Sequence, residues 1–385
     1  MSLVAPLLWA LPFLILPLVV LVRARHSRSL DEVPPDTDPD PPLVTVVIPA
    51  RNERRNIERC ARSVLSTTYR RLEVIVVDDH STDGTREIAD EIARTDARLR
   101  VISAPSLPQG WFGKQWACAT GAAEARGEIL LFTDADTRHG PDLLPRAVHA
   151  LSHERVDLVT LAGDQELHSF WERVIQPHVF VLLSLRYGGT EHVSRATRAV
   201  DVIANGQFLL IRREAYIAVG THEAVRDVVA EDLALAQTLV GLKRRMLLLF
   251  ARGQFSTHMY ASLAELVRGW RKNMYAGGRT AALGGPAGRA LFPVILLATP
   301  IVGLVPPVAL VLSAAGVLST AWLAWSAIVV AGALFFWSIV YRFMGAPIWY
   351  AITYPLGLAM LFYIAAGSVK RGTRVEWKDR EYVSR

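Results

Sequence analysis

Three short polar stretches have the residue types and spacing of a site that handles phosphates. The first is Asp134-Ala135-Asp136, which follows the apolar run Ile129-Leu130-Leu131-Phe132. Side chains two apart in an extended chain point to the same side, so these carboxylates can converge just past the end of a strand. Two hard oxygen donors held together suit Mg²⁺ or Mn²⁺ carrying a phosphorylated substrate. Alone, the same residues would equally describe a strand that stops in an acidic turn. The second stretch, Asp78-Asp79-His80-Ser81-Thr82-Asp83-Gly84, follows the run 72–77. The third, Pro49-Ala50-Arg51-Asn52-Glu53, follows the run 43–48. An isolated Asp pair commonly caps a turn. Three polar strand ends on one edge of a parallel sheet make that bland reading poor, because ligands of open α/β sheets bind at that edge.

The elements that must position these residues alternate. Strand patterns occupy 43–48, 72–77, 99–102 and 128–133, and helical patterns 52–65, 85–93 and 116–125. That order predicts a doubly wound, mostly parallel α/β sheet with right-handed crossovers. Further strands are expected at 156–161, 208–212 and 245–250, and helices at 168–187, 213–219 and 231–240.

The chain has 385 residues, room for about two domains. Hydrophobic residues make up 51% and the mean hydropathy is +0.26. The apolar excess lies in the first 22 residues and after about residue 290. Net charge is +6 and the pI about 9.5, with much of the excess flanking apolar segments. We assign it to membrane orientation. No zinc-finger spacing, aromatic stacking motif or long basic run supports nucleic acid as a partner. With only Cys60 and Cys118, a disulfide framework is not expected.

Residues 3–22 carry no charge and are long enough to span a bilayer. The basic residues Arg23, Arg25 and Arg28 follow that run, the reverse of a secretory signal. Residues 31–42 are rich in Pro and Asp and read as an extended linker. Residues 262–275 are amphipathic, with Leu263, Leu266, Val267, Trp270 and Met274 on one side, a pattern that suits the membrane interface. Apolar segments follow at 291–312, 321–341 and 348–368, and then a basic tail. Three full crossings would set that tail on the far side from the α/β domain, against the positive-inside rule. The segment 291–312 is the candidate for a re-entrant or interfacial piece, since Pro293, Pro300, Pro306 and Pro307 should break its helix.

The motifs V-V-I-P-A-R-N-E, V-I-V-V-D-D-H-S-T-D-G-T and F-T-D-A-D resemble those of the family 2 glycosyltransferases, over about residues 44–240. The resemblance implies the A-type nucleotide-sugar fold, a nucleoside diphosphate sugar donor (a UDP-sugar in the first instance), Mg²⁺ or Mn²⁺, and inversion at the anomeric centre. Carried over, Pro49, Ala50, Arg51 and Glu53 line the nucleotide pocket, together with Asp78 and Asp79, and Asp79 holds the base or ribose. Asp134 lies on the sugar side and also serves the metal, whose main ligand is Asp136. Lys114, in Gly110-Trp111-Phe112-Gly113-Lys114-Gln115-Trp116-Ala117, is expected to reach a phosphate. That segment resembles the subset of the family tied to hopanoid, carotenoid or other polyisoprenoid-lipid pathways. The family's base lies in an E-D pair like Glu231-Asp232, so the resemblance makes Asp232 the general base and Glu231 its neighbour. Asn205-Gly206-Gln207 with Arg212-Arg213 resembles the acceptor-side loop, and His222 and His258 are candidates to line it.

The family's Q-x-x-R-W signature of polymerising members is absent. The nearest stretch is Leu266-Val267-Arg268-Gly269-Trp270-Arg271, which lacks the glutamine. Transfer of one sugar to a lipid or polyisoprenoid hydroxyl is therefore expected ahead of polymer synthesis or transfer to a polyprenyl phosphate. An inactive membrane scaffold with the same fold is the reading outside enzymes. The resulting division is an N-terminal anchor (1–24), a linker (25–42), a catalytic domain (43–255), an interfacial region (256–288), C-terminal transmembrane segments (289–369) and a basic cytoplasmic tail (370–385). The expected location is the inner cell membrane, multi-pass, with the catalytic domain in the cytoplasm.

Overall fold

The computed structural model describes residues 4–377 and 380–383. The chain forms two compact units. One gathers Ser27–Glu166, Thr190–Met259 and Thr373–Arg385, and the other Met1–His26, Leu167–Gly189 and Tyr260–Gly372. Neither is a single run of sequence. The first helix, α1 (Val4–Ala24), belongs to the second unit.

The first unit is the α/β one. Its chain runs β1 (Val44–Ala50), α2 (Ile57–Leu65), β2 (Leu72–Asp78), α3 (Thr85–Thr95), β3 (Leu99–Ser103), α4 (Gly113–Glu124) and β4 (Ile129–Phe132). It continues with β5 (Thr137–His139), α5 (Leu143–His153), β6 (Leu158–Ala162) and β7 (Asp164–Gln165). After α6 (Phe170–Tyr187), which lies in the other unit, come α7 (Thr190–Ser194), β8 (Leu209–Arg212), α8 (Arg213–Ala218), α9 (Glu231–Gly241), β9 (Met246–Phe250) and β10 (Phe255–Thr257). Seven strands form one sheet in the order β3-β2-β1-β4-β8-β6-β9. All neighbours are parallel except β8, which runs antiparallel to both β4 and β6. The sheet is thus doubly wound and mostly parallel, as the alternation of patterns predicts. A small sheet, β5-β10-β7, stands beside it.

Register decides what the sheet edge offers. β1 pairs with β2 from Val44↔Leu72 to Ala50↔Asp78, so Arg51 and Asp79 leave their strands at the same level. β4 pairs on the other side of β1 and ends at Val47↔Phe132. The residues that enforce this are buried on both faces. Val46, Ile48, Val74, Val76 and Leu131 pack with Ile57, Cys60, Ala61 and Val64 of α2. On the other face Val47 and Val77 meet α4 at Gly121, where a β-carbon would overlap the Val47 side chain.

The stretch expected to be an extended linker is tied down. Leu30 and Val33 are buried in the core. A short 3₁₀ turn, Leu30–Glu32, is capped by Ser29. The Phe250 amide donates to the Arg28 carbonyl at 3.0 Å, so the segment runs along the sheet's last strand.

The second unit is helical. It contains α1, α6, α10 (Leu263–Thr280), α11 (Gly285–Ala314), α12 (Thr320–Phe343) and α13 (Tyr354–Arg371), with a 3₁₀ segment Ile348–Thr353 before α13. The buried side of α10 carries Leu266, Val267, Trp270 and Met274, as its spacing predicts. Among the described residues three helices are long and apolar enough to cross a membrane: Gly285–Ala314, Thr320–Phe343 and Ile348–Arg371. The expectation that four prolines break the first of these is wrong. α11 is one helix of 30 residues with Pro293, Pro300, Pro306 and Pro307 inside it. It packs against α12 and α13, and such neighbours let an apolar helix tolerate the backbone groups that proline frees.

After α13, the hairpin strands β11 (Arg374–Trp377) and β12 (Arg380–Val383) pair antiparallel and belong to the α/β unit.

Candidate active site

The three polar strand ends lie on one edge, and α4 and α9 complete the cluster with their first turns. Gly113 opens α4, which brings Lys114 into its first turn, and Glu231 and Asp232 open α9. The Lys114 ammonium lies 2.8 Å from Asp134 Oδ1 and 2.8 Å from Glu231 Oε1. Those two carboxylates come from distant parts of the chain, and the lysine joins them. Its side chain keeps 23% of its surface, so water reaches the cluster. Burial disfavours the charged lysine, but the two carboxylates outweigh it and hold its pKa well above the ordinary value.

Asp232 is held without a cation of its own. Oδ2 accepts from the Gly206 amide at 2.6 Å and Oδ1 from the Leu233 amide at 2.7 Å. Gly206 is small for a reason. A β-carbon there would lie 3.1 Å from Asp232 Oδ2 and 3.2 Å from Lys114 Nζ. Burial, with the Glu231 charge beside it, pushes the Asp232 carboxyl up to about 6. Glu231 is itself buried, yet the Lys114 charge and hydrogen bond bring it below the usual carboxylate range. The pair is split: Glu231 is the firmly ionised member, and Asp232 is poised near neutrality.

Asp136 lies at the other end of the cluster. Its Oδ1 is sealed from solvent and has no hydrogen-bond partner. Burial, with the charges of Asp134 and Glu53 next, pushes its carboxyl up to about 7. A buried oxygen without a donor, amid other carboxylates, is what a cation would relieve. Among the described residues no group of three or more His, Cys, Asp or Glu side chains could hold a metal by itself. The orphaned Asp136 oxygen, with Asp134 beside it, fits a hard cation such as Mg²⁺ or Mn²⁺, which binds through one or two carboxylates with phosphate and water as its other ligands.

At the other strand ends, Pro49 and Ala50 close β1. Arg51 donates through Nη1 to the Asp79 carbonyl at 2.6 Å and lies 3.8 Å from its carboxylate. Asn52 has a left-handed backbone, with φ of 52°, which turns the chain toward Glu53. The Glu53 amide donates to Thr85 Oγ1 at 2.7 Å, and its carboxylate accepts from Asn56 Nδ2 at 2.9 Å. Asp78 accepts from the Ser81 amide at 3.2 Å, an ordinary turn closure. Asp79 is paired with Arg380 of the C-terminal hairpin.

Three of the residues named for the acceptor loop, His222, Arg212 and Arg213, make structural contacts. The His222 ring bonds the Tyr216 hydroxyl at 2.7 Å and is buried, and burial lowers its pKa to about 4. Arg212 and Arg213 donate to the carbonyls of Val156, Leu151, Gly127 and Ala125, which secures strand ends. His258 touches the site through its backbone, its amide donating to the Asp136 carbonyl at 3.3 Å.

A buried network beneath the two acidic loops has no counterpart in the motif reading. Thr137 donates to the Asp134 carbonyl at 2.8 Å and Thr133 to the Gln207 carbonyl at 2.7 Å. Both hydroxyl protons are thus used, so His139 Nε2, 3.0 and 3.2 Å from the same oxygens, carries the proton it shares between them. Burial drops the His139 pKa to about 3, which keeps the ring neutral. The network ties the Asp134–Asp136 turn to the Gly206 loop that holds Asp232. Its signal in the sequence was Thr137 and His139, two apart on a short strand and hence on one face.

Residues 45–220 match the family model described as glycosyl transferase family 2. The segment is a family 2 glycosyl transferase domain. The chain is 27% identical over 237 residues to a 4,4'-diaponeurosporenoate glycosyltransferase of Staphylococcus haemolyticus, covering 61% of each chain. It is 26% identical over 223 residues to a beta-monoglucosyldiacylglycerol synthase of a Nostoc species, covering 56% of this chain and 44% of that one. The chain spans about three fifths or less of the length of these relatives. Among solved structures, a mannosyltransferase from Pyrobaculum calidifontis, in complex with GDP-Man and Mn²⁺, aligns with a TM-score of 0.61 and 22% identity. The alignment covers 96% of this chain and 99% of that one. The glycosyl transferase domain of this chain therefore has the A-type fold expected from its motifs.

Proposed function

We propose that the protein transfers a sugar from a nucleoside diphosphate sugar, a UDP-sugar in the first instance, to a hydroxyl of a lipid or polyisoprenoid acceptor, with inversion. The observation that carries this reading is the division of labour between two carboxylates on one sheet edge. Asp136 has a buried oxygen with no donor, and Asp232 is fixed by two amides and poised near neutrality.

In this reading Asp136, with Asp134 beside it, holds Mg²⁺ or Mn²⁺. A bound ion would offset the charge that gathers on the departing diphosphate. Two of the three Lys114 N–H groups are spent on Asp134 and Glu231, which leaves the third for a donor phosphate. Arg51, Glu53, Asp78 and Asp79 frame the nucleotide end beside Pro49 and Ala50. Asp232 keeps free lone pairs after accepting its two amides. It takes the proton of the acceptor hydroxyl as that oxygen forms its bond to the sugar's anomeric carbon and the bond to the diphosphate breaks. Glu231 stays ionised on Lys114, and its charge raises the affinity of Asp232 for the proton it takes up. The two relatives, a 4,4'-diaponeurosporenoate glycosyltransferase and a beta-monoglucosyldiacylglycerol synthase, support a lipid acceptor. So do the long apolar helices and the missing Q-x-x-R-W signature.

We place the protein in the inner cell membrane, with the α/β unit in the cytoplasm. Arg380 and Asp79 belong to one unit, so the chain between Met259 and Thr373 crosses an even number of times. On this reading one of the three apolar helices does not cross fully, which reconciles the basic tail with the positive-inside rule.

The test is the purified full-length protein with Mn²⁺, a panel of nucleotide sugars and a membrane lipid extract, with products read by mass spectrometry. A single-sugar lipid adduct that disappears in Asp136→Ala and Asp232→Ala is the expected result. Chain products would favour a polymer synthase. Unchanged behaviour of both variants would leave a scaffold.

A further inference from the structure

Asp79 follows the last residue of β2 on the edge read as the nucleotide site, yet its carboxylate is already taken. Arg380 donates through Nη1 to Oδ2 at 2.7 Å and through Nη2 to Oδ1 at 3.3 Å, the fork-on-carboxylate pairing that arginine makes best. Arg51 brings a second guanidinium to within 3.8 Å. Between them the Asp79 side chain keeps 2% of its surface. A ligand cannot read a carboxylate with so little of it showing.

The same strand makes a second contact. The Tyr382 hydroxyl accepts from the Gly113 amide, at the start of α4, at 3.3 Å. Its ring lies on Phe112 with centroids 4.3 Å apart. Arg380 and Tyr382 are two apart on β12 and so share one face. That face lies across the mouth between the end of β2 and the first turn of α4, one residue from Lys114. Among the described residues β12 pairs with β11 and with no strand of the large sheet. An isolated two-stranded hairpin is marginal in water. The Arg380 and Tyr382 contacts fasten it to the α/β unit, and releasing it breaks no ladder of the seven-stranded sheet.

We propose that the C-terminal hairpin is an autoinhibitory clasp on the donor site. Arg380 occupies the carboxylate that a nucleoside base or ribose would use, and the hairpin must lift before the nucleotide binds there. The clasp rests on the reading of this edge as a nucleotide site. Donor affinity is then lowered by the fraction of molecules that stand open. Arg380 keeps 24% of its side-chain surface, so salt screens the pair and loosens the clasp.

Calorimetric titration of UDP, and separately of GDP, into the full-length protein in detergent with Mn²⁺ tests this. For a clasp closed in about nine molecules of ten, Arg380→Ala should bind nucleotide about tenfold more tightly. Arg380→Lys should gain less, because a lysine still pairs with Asp79 but without the fork. The double variant Phe112→Cys/Tyr382→Cys should lose binding when oxidised and regain it with reductant. If wild type binds a nucleotide and Arg380→Ala binds it equally or more weakly, the clasp is wrong and the donor reading stands. If neither nucleotide binds wild type or Arg380→Ala, the donor reading fails and the clasp falls with it.

Discussion

Replacing Lys114 with methionine removes the ammonium between Asp134 and Glu231 while keeping the bulk of the side chain. The electrostatic reading of the site makes a specific demand of this variant. A β-carbon on Gly206 would lie 3.1 Å from Asp232 Oδ2 and 3.2 Å from Lys114 Nζ, so the two charged atoms are no more than about 6 Å apart. Lys114 keeps 23% of its side-chain surface, so an effective dielectric of about 20 is appropriate. The ammonium then favours ionised Asp232 by about 3 kcal/mol, or about two pKa units. With the carboxyl now at about 6, the acid limb of the kcat–pH profile should move toward about 8. At pH 7 the ionised fraction of the base falls from about nine tenths to about one tenth. Roughly a tenfold loss in kcat at pH 7 should therefore be recovered by pH 9, on top of any pH-independent loss from a missing phosphate contact.

The assay is initial rate against pH, at saturating donor, for wild type, Lys114→Met and Lys114→Met/Glu231→Gln. Glu231 raises the Asp232 pKa, so removing both opposing charges should bring the limb back toward about 6. The effects of the two substitutions are then far from additive, as expected within one charge cluster. A Lys114→Met enzyme that loses activity with its acid limb unmoved would refute the argument. It would leave Lys114 as a phosphate contact alone, or Asp232 as something other than the base.

Three further outcomes follow from the same geometry. Asp232→Asn should lower kcat by about 10²–10⁴ with donor KM within a few-fold, since the base touches the acceptor and not the nucleotide; steady-state kinetics on both substrates checks this. Asp136→Asn should abolish the Mn²⁺-induced rise in melting temperature, and calorimetry with and without the ion checks it. Gly121→Ala should destabilise the protein by about 1–3 kcal/mol, because its methyl would overlap Val47 where α4 closes on β1; thermal unfolding checks this, with metal affinity unchanged in the folded fraction.

What could be read from the sequence was whatever depends on neighbours in the chain. The β-branched runs end in their polar turns within the sequence itself, so the ligand edge was visible before the strands were paired. The facing of α10 followed from its period alone. β8 was expected as a strand, but its direction was hidden, because a short apolar run looks the same either way along. The link from Lys114 to Asp134 and Glu231 was equally hidden. Its far partner, Glu231, lies more than a hundred positions along the chain from Lys114, and a lone lysine after glycine carries no mark of the partners it will meet. The prolines of α11 misled for the opposite reason. They are strong local signals, and helix packing in an apolar setting overrides them. His139 and the threonines it bridges showed only as two residues on one face, and the sequence offered no reason to set them under the acidic loops.

The two central carboxylates also explain why such a site needs a rigid frame. A carboxyl whose folded pKa lies above its unfolded value, about 3.9 for Asp, favours folding when protonated. That contribution is complete below the unfolded pKa and is lost as pH rises through the folded one. For Asp232 the loss spans the range up to about 6, and for Asp136 up to about 7. Function runs the other way, since a base and a metal ligand act only when ionised. The conditions that switch the site on are those in which its own charges oppose the fold. Asp136→Asn and Asp232→Asn should therefore melt higher than wild type at pH 8 without metal, each by the equivalent of about 1–2 kcal/mol once partial solvation is allowed for. The same variants should show little difference near pH 4. Lys114 and the His139 network supply the opposing constraint: one offsets charge between the loops, and the other pins both loops to the sheet with neutral hydrogen bonds that do not titrate in this range. A pair of asparagine variants that melted below wild type at pH 8 would mean that the carboxylates are net stabilising as they stand, and that the orphaned oxygen of Asp136 is better solvated than its burial indicates.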